Sequence, residues 1–241
     1  MRQMLFSITQ TLRLPSICIL CNQFHKSALA VCTSCIELIK PLGPACQHCA
    51  QPLPDATYLV CGQCIKKPPH FDRALINYTF EEPLRSLLHH FKYYNGLYLS
   101  SFLCQLMLHA IQNQAITAQC LIPVPLHPKR LKQRGFNQAA VLAKRLARTL
   151  NLPYDLKSCQ KVINTAPQAS LDSEQRKKNL HHAFHTNPLP YQHVILIDDL
   201  LTTGCTANEL AHTLKKTGVQ RVDVWCCART VKNQQTETNF I

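Results

Sequence analysis

Eight of the fourteen cysteines in this 241-residue chain fall into four Cys-x-x-Cys pairs confined to the first 64 residues, and this spacing constrains the fold more than any other feature. The pairs are Cys18/Cys21, Cys32/Cys35, Cys46/Cys49 and Cys61/Cys64. Two intervening residues let both sulfurs of a pair point at one ion, and two such hairpins complete a tetrahedral thiolate site. Eight ligands therefore predict two structural zinc ions, with redox-active dithiols as the competing use of the same pattern. Sequential pairing is the simpler topology; a cross-braced arrangement satisfies the spacing equally. Asn22 and Ala50 stand after the second cysteine of their pairs, where glycine is frequent. Asn tolerates a left-handed backbone there better than Ala does. About 55 residues broken up by prolines hardly build a core without metal, so zinc is expected to be integral to folding. A closed four-thiolate site has no open position for catalysis, which leaves scaffolding or contact as its task.

The same cysteines bear on compartment. Arg2, Gln3, Thr9, Gln10 and Arg13 interrupt Met1 to Leu14, so these residues read as a short amphipathic helix ended by Pro15 and not as a secretory leader. No stretch is long and apolar enough to span a membrane. Paired thiols without a leader predict a cytoplasmic protein, where such pairs usually mean metal. Residues 1–70 are read as the zinc module, 71–230 as the main domain and 231–241 as a polar tail.

From Phe71 the texture changes. Phe71 to Tyr78 reads as a strand, Pro83 opens a helix to about Lys92, and a second helix is expected from Leu97 to Gln114. Then strand, loop and helix alternate. Cys120–Val124 precedes a basic loop and a helix from Gln138 to about Leu150. Val194–Ile197 precedes a helix from Ala207 to Lys216, with Gly218 suited to its end. Arg221–Cys226 is the next strand. Wholly apolar strands in this order predict a parallel sheet flanked by helices, an α/β fold.

In such sheets ligands sit at the carboxyl ends of the strands. Asp198 and Asp199 close an apolar strand there, and Thr202-Thr203-Gly204-Cys205-Thr206 turns into a helix. Hydroxyls and successive N–H groups at a helix start bind anions, and Gly204, one of only six glycines, lets the backbone approach closely. A Walker loop is excluded because the Gly-Lys-Ser/Thr ending is missing. The run Val194 to Thr206 resembles the phosphoribosyl-diphosphate signature of type I phosphoribosyltransferases. By that resemblance Asp198 and Asp199 bind the ribose hydroxyls as the catalytic pair, and Thr202, Thr203, Gly204, Cys205 and Thr206 bind the 5-phosphate. The acids would also help position a magnesium-bound diphosphate.

The chain carries a net charge of +13, and residues 121–185 hold twelve Lys/Arg against three Asp/Glu. The excess sits just before the phosphate loop and favours polyanions. Lys129, Arg130, Lys132 and Arg134, with Gly135, form a candidate diphosphate clamp; a solvated basic turn capped by Asn137 is the plainer reading. Pro123-Val124-Pro125, the spaced cations and Arg134-Gly135-Phe136-Asn137-Gln138 resemble the ComF/GntX family of phosphoribosyltransferase-like proteins. Phe91-Lys92-Tyr93, Gln168, Leu171, Arg176, Asn179-Leu180 and Ala183-Phe184 extend that resemblance, as do the cysteine pairs. It implies a type I phosphoribosyltransferase-like domain with an N-terminal double zinc ribbon. It also implies Lys129, Arg130, Arg134 and Gly135 on the diphosphate, and a flexible loop offering Lys161, Gln168 and Arg176. The chain departs from the family at Val162-Ile163-Asn164, where an arginine is usual; Lys161 is the nearest cation.

Two functions follow as expectations. One is an enzyme acting with magnesium at the anomeric carbon of phosphoribosyl diphosphate or a related sugar phosphate, its acceptor recognised by residues 71–120. The other is a non-catalytic nucleotide- or nucleic-acid-binding protein. ComF proteins are associated with competence, so single-stranded DNA and competence proteins are the expected partners. Phe91, Tyr93, Tyr94 and Phe136 are candidates for stacking on bases, though core packing serves them equally.

Overall fold

The computed structural model describes residues 16–94, 96–112, 114–164 and 182–231. The expected helix over 1–14, the candidates Gln168 and Arg176, and the tail after Val231 lie outside these residues.

Four short strands build the central sheet: β3 (Arg73–Leu75), β4 (Cys120–Pro123), β7 (His193–Ile197) and β9 (Arg221–Trp225). Their spatial order is β3-β9-β7-β4, and every pairing is parallel. Side chains alternate across the sheet and both faces are apolar. Leu121, Ile195, Ile197 and Trp225 face one core, while Ile122, Val194, Leu196, Val222 and Val224 face the other. Helices α3 (Leu84–Tyr93), α4 (Ser100–His109) and α6 (Gln138–Leu150) cover the first face. Helix α7 (Cys205–Lys216) covers the second. Parallel strands buried on both sides are the arrangement the apolar runs predicted.

Two expected elements are shorter than their sequence pattern. The strand over 71–78 keeps only Arg73–Leu75, because Asn77 and Thr79 pair with Leu42 and Lys40, and Phe80 with Arg229. The helix expected over 97–114 begins as a 3-10 turn, Gly96–Leu99, and ends at His109. Gly96 runs against the α3 backbone, where an added Cβ would lie 2.6 Å from the His90 carbonyl oxygen. At the other end, Ala110 and Ile111 switch to bonds three residues back, and the Ile111 side chain enters the core.

The cysteine-rich part holds a two-stranded ribbon, β1 (Ser16–Ile17) with β2 (Phe24–His25), and two single-turn helices, α1 (Thr33–Glu37) and α2 (Gly62–Lys66). It does not stand apart. Cys18, Val31, Cys35 and Ile39 pack into the core beneath α3 and α4, and Leu42 and Ala50 into the opposite one. Antiparallel β5 (Cys159–Lys161) and β6 (Phe184–Thr186) flank residues 165–181.

Candidate functional site

Two four-cysteine centres settle the pairing of the ligands. Cys18, Cys21, Cys32 and Cys35 bring their sulfurs within 4.8 Å of one another, and Cys46, Cys49, Cys61 and Cys64 do the same. Pairing is therefore sequential. The sulfurs of Cys21 and Cys32 are 3.8 Å apart and those of Cys49 and Cys61 3.7 Å. Four thiolates about 2.3 Å from one zinc ion sit roughly 3.8 Å from each other, so both cages fit that ion. The turns that close the first and third pairs place Asn22 at φ 57° and Ala50 at φ 54°, the left-handed backbone usually left to glycine. Burial raises the Cys18 and Cys46 thiols, but backbone N–H groups outweigh it and hold them at about 6 and about 7. Thiols so placed are ready to lose their protons to a metal. Cys104, Cys120, Cys159, Cys226 and Cys227, outside the pairs, are buried among apolar side chains.

At the carboxyl end of β7 the chain turns outward at Asp198. Its N–H is held by the Trp225 carbonyl at 3.0 Å, and its own carboxylate accepts the Asp199 N–H at 2.9 Å. Asp199 is buried, and Lys92 at the end of α3 reaches it with Nζ 2.5 Å from Oδ2. Burial, reinforced by the charge of Asp199, pushes the Asp198 carboxyl up to about 8 even with Lys92 nearby. Burial alone would depress the Lys92 ammonium; the Asp199 charge wins and raises it.

Next the chain forms β8 (Leu200–Leu201), paired with β10 (Ala228–Arg229), and then the half-exposed turn 202–204. Gly204, at φ 78° and ψ 0°, caps α7, and the Thr203 hydroxyl accepts the Cys205 N–H at 3.4 Å. The expected phosphate residues thus form one continuous loop at a twelve-residue helix start, beside the acids.

The basic segment is a correction. It is a helix, α5 (Pro128–Arg134), with Pro128 at its first position and the Lys129 N–H on His127 Nδ1 at 3.2 Å. Gly135, at φ 82°, ends it, and Asn137 caps α6 through the Ala139 N–H. The His-Pro start and the glycine stop are signals that the run of cations obscures. A helix spreads its cations: Arg130 and Arg134 share a face, while Lys129 lies about 100° round from Arg130. Arg134 stacks on Tyr93, its Cζ 5.0 Å from the ring centre, and donates to the tyrosine oxygen at 3.3 Å. Burial pushes the Lys161 ammonium down to about 8, with Arg130 adding to the fall and Asp198 opposing it.

Lys92 thus meets Asp199 and Lys161 lies near Asp198, with Arg130 next to Lys161 and Arg134 further out on Tyr93. Nothing local in the sequence marks Lys92 for this position. Arg229 does carry a signal, as an arginine closing the apolar run Trp225-Cys226-Cys227-Ala228, since such residues are rarely buried unpaired. Of the proposed base-stacking aromatics, Phe91 is buried and packs on Phe136 at 6.1 Å, whereas Tyr93 and Tyr94 are 58% and 62% exposed. Among the described residues no helix is long and apolar enough to cross a membrane.

Fold and site together define a class: a parallel α/β domain with an acidic pair and a glycine-turned helix start at its strand ends, joined to two four-cysteine centres. Residues 10–65 match the double zinc ribbon domain. Competence protein F of Haemophilus influenzae is 35% identical over 224 residues, 88% of this chain and 96% of that protein. DNA utilization protein YhgH of Escherichia coli is 31% identical, covering 91% of this chain and 100% of its own length. Competence protein ComFC of Bacillus subtilis is 26% identical over 84% of this chain and 90% of its own. A solved glutamine phosphoribosylpyrophosphate amidotransferase from B. subtilis overlays with a TM-score of 0.36 at 17% identity, covering 54% of this chain and 26% of its own, a loose likeness from which no function follows. The chain belongs to the competence protein F (ComF) family.

Proposed function

We propose that the chain binds phosphoribosyl diphosphate with magnesium at residues 198–206, and that it serves the handling of single-stranded DNA in natural transformation. The observation that carries the ligand is the pair of adjacent acids, with Lys92 on Asp199 and Lys161 near Asp198, beside a glycine-turned helix start. Acids at that point suit ribose hydroxyls and a metal-bound diphosphate, the loop N–H groups suit a terminal phosphate, and the cations suit the remaining charge. The cellular role is suggested by the relatives, two named for competence and one for DNA utilization. Transfer or hydrolysis at the anomeric carbon is the chemistry such a ligand offers, and residues 71–120 are the candidate side for an acceptor.

Calorimetric titration of phosphoribosyl diphosphate and magnesium tests the site. Wild type is expected to bind, and Asp198→Asn to weaken binding at least tenfold. Failure of wild type to bind sinks the proposal. The pH profile carries a sign. With its carboxyl pushed up to about 8, Asp198 is largely protonated at pH 7, so magnesium-dependent affinity rises from pH 7 to 9 and flattens in Asp198→Asn. Stability runs the other way. The folded state holds a proton that the unfolded state releases near pH 4, so this group's contribution is lost as pH rises through about 8.

One observation favours a second reading, a nucleic-acid-binding module without turnover. A cleft of about 590 Å³ runs along α3, lined by Arg85, His89, Lys92, Tyr93 and Tyr94 among others. Exposed rings among cations are the platform on which single-stranded bases stack. Binding of a labelled oligonucleotide across a salt series is expected to fall steeply with salt, and tenfold in Tyr93→Ala/Tyr94→Ala. A flat salt response would remove this reading.

A further inference from the structure

Arg229 is only 6% exposed, yet its guanidinium bonds are made to neutral oxygens. Nε donates to the Cys49 carbonyl at 3.0 Å and Nη2 to the Gln51 side-chain oxygen at 3.3 Å. Nη1 donates to the Leu201 carbonyl at 3.0 Å, to the Thr202 carbonyl and to the Thr230 carbonyl at 3.1 Å. One side chain thus holds the last turn of a zinc knuckle in one direction and, in the other, Leu201 and Thr202, where the chain enters the 202–206 loop. Its backbone is fixed too, by the Tyr78 carbonyl and the Phe80 N–H.

The charge balance explains why an arginine is tolerated here. A buried guanidinium needs compensating charge, and carbonyl dipoles supply only part of it. Four thiolates around one divalent zinc leave a net charge of about −2 on the centre whose ligand Cys49 contacts Arg229. With its carbonyls turned toward Arg229, the chain at Leu201 and Thr202 is fixed immediately before its N–H groups must face an anion.

We propose that Arg229 is the positioning residue of the 202–206 loop, and that through it the loop's geometry depends on the Cys46/Cys49/Cys61/Cys64 centre and not on the Cys18/Cys21/Cys32/Cys35 centre. The loop's role in holding phosphate rests on the reading given above; the mechanical link does not.

The test uses the full chain. Arg229→Lys keeps the charge but loses the fork, and Gln51→Ala removes only a zinc-side bond. Both are expected to retain two zinc ions by elemental analysis. Amide hydrogen exchange over 199–206 and 46–51 is expected to rise together, about tenfold in Arg229→Lys and less in Gln51→Ala, while 18–35 is unchanged. Unchanged exchange over 199–206 in both variants overturns the link, and so does an equal rise over 18–35. A second arm follows zinc release to a chromogenic chelator. Saturating phosphoribosyl diphosphate with magnesium is expected to slow the release of one zinc of the two in wild type, and of neither in Arg229→Lys, because coupling between sites is reciprocal. Equal slowing of both zinc ions overturns the proposal. If wild type binds no phosphoribosyl diphosphate, the functional reading fails and the exchange arm alone decides the link.

Discussion

Lys92→Met is expected to destabilise the protein by about 3–5 kcal/mol, because it strands a buried carboxylate. Asp199 has side-chain exposure of 7% and Lys92 of 21%, so neither charge has much water to fall back on. Asp198 lies next in sequence and already holds its proton to about 8, which leaves little capacity to absorb a second uncompensated acid. Urea unfolding checks the magnitude, and a loss under about 1 kcal/mol would show that the pair is weakly coupled. The companion variant Lys92→Met/Asp199→Leu is expected to recover much of the loss, since an apolar pair of similar size removes the desolvation penalty along with the attraction. Recovery in stability without recovery in ligand affinity would separate what the ion pair does for the fold from what it does for the cleft.

Removing zinc is expected to have the other large effect. The cages contribute cysteine and aliphatic side chains to both apolar faces of the sheet: Cys18, Val31 and Cys35 to one, Leu42 and Ala50 to the other. Loss of metal therefore loosens both cores. Structural zinc is worth about 10–16 kcal/mol in small modules near neutral pH. If only ~5 kcal/mol of it reaches the whole chain, the thermal midpoint falls by roughly 10–20 °C. Dialysis against a strong chelator, followed by zinc analysis and a thermal scan, is the measurement. A zinc-free protein with an unshifted midpoint would make the cages ornaments on an independently stable domain.

What the residues reveal unaided depends on range. Cys-x-x-Cys spacing is local and dictates its own geometry, so the ligand set is plain, while the choice between sequential and cross-braced pairing needs the path of residues 36–45 between the hairpins. The apolar strand ending in Asp198-Asp199 and turning at Gly204 is likewise legible, because each step obeys a short-range rule. The basic segment reads as a loop only when its four cations hide Pro128 and Gly135, which delimit a helix. Lys92 and Arg229 lie beyond local rules. Lys92 meets Asp199 from 107 residues away, and Arg229 meets Cys49 across a separation of 180. Only assembly of the sheet brings such partners together.

That assembly has a temporal consequence. Strand β3 can find its place only against β9, and the Asp72 carboxylate accepts the Val222 N–H across 150 residues. During synthesis the cysteine hairpins emerge before the sheet strands and can capture metal while those neighbours are still unmade. The strand beside them then waits, with its edge open, for the 150 residues that separate Asp72 from Val222. Long-range parallel pairing of this kind is slow and exposes apolar edges meanwhile. Refolding from denaturant is thus expected to show early metal capture and a late closure step in which β3 and β9 meet.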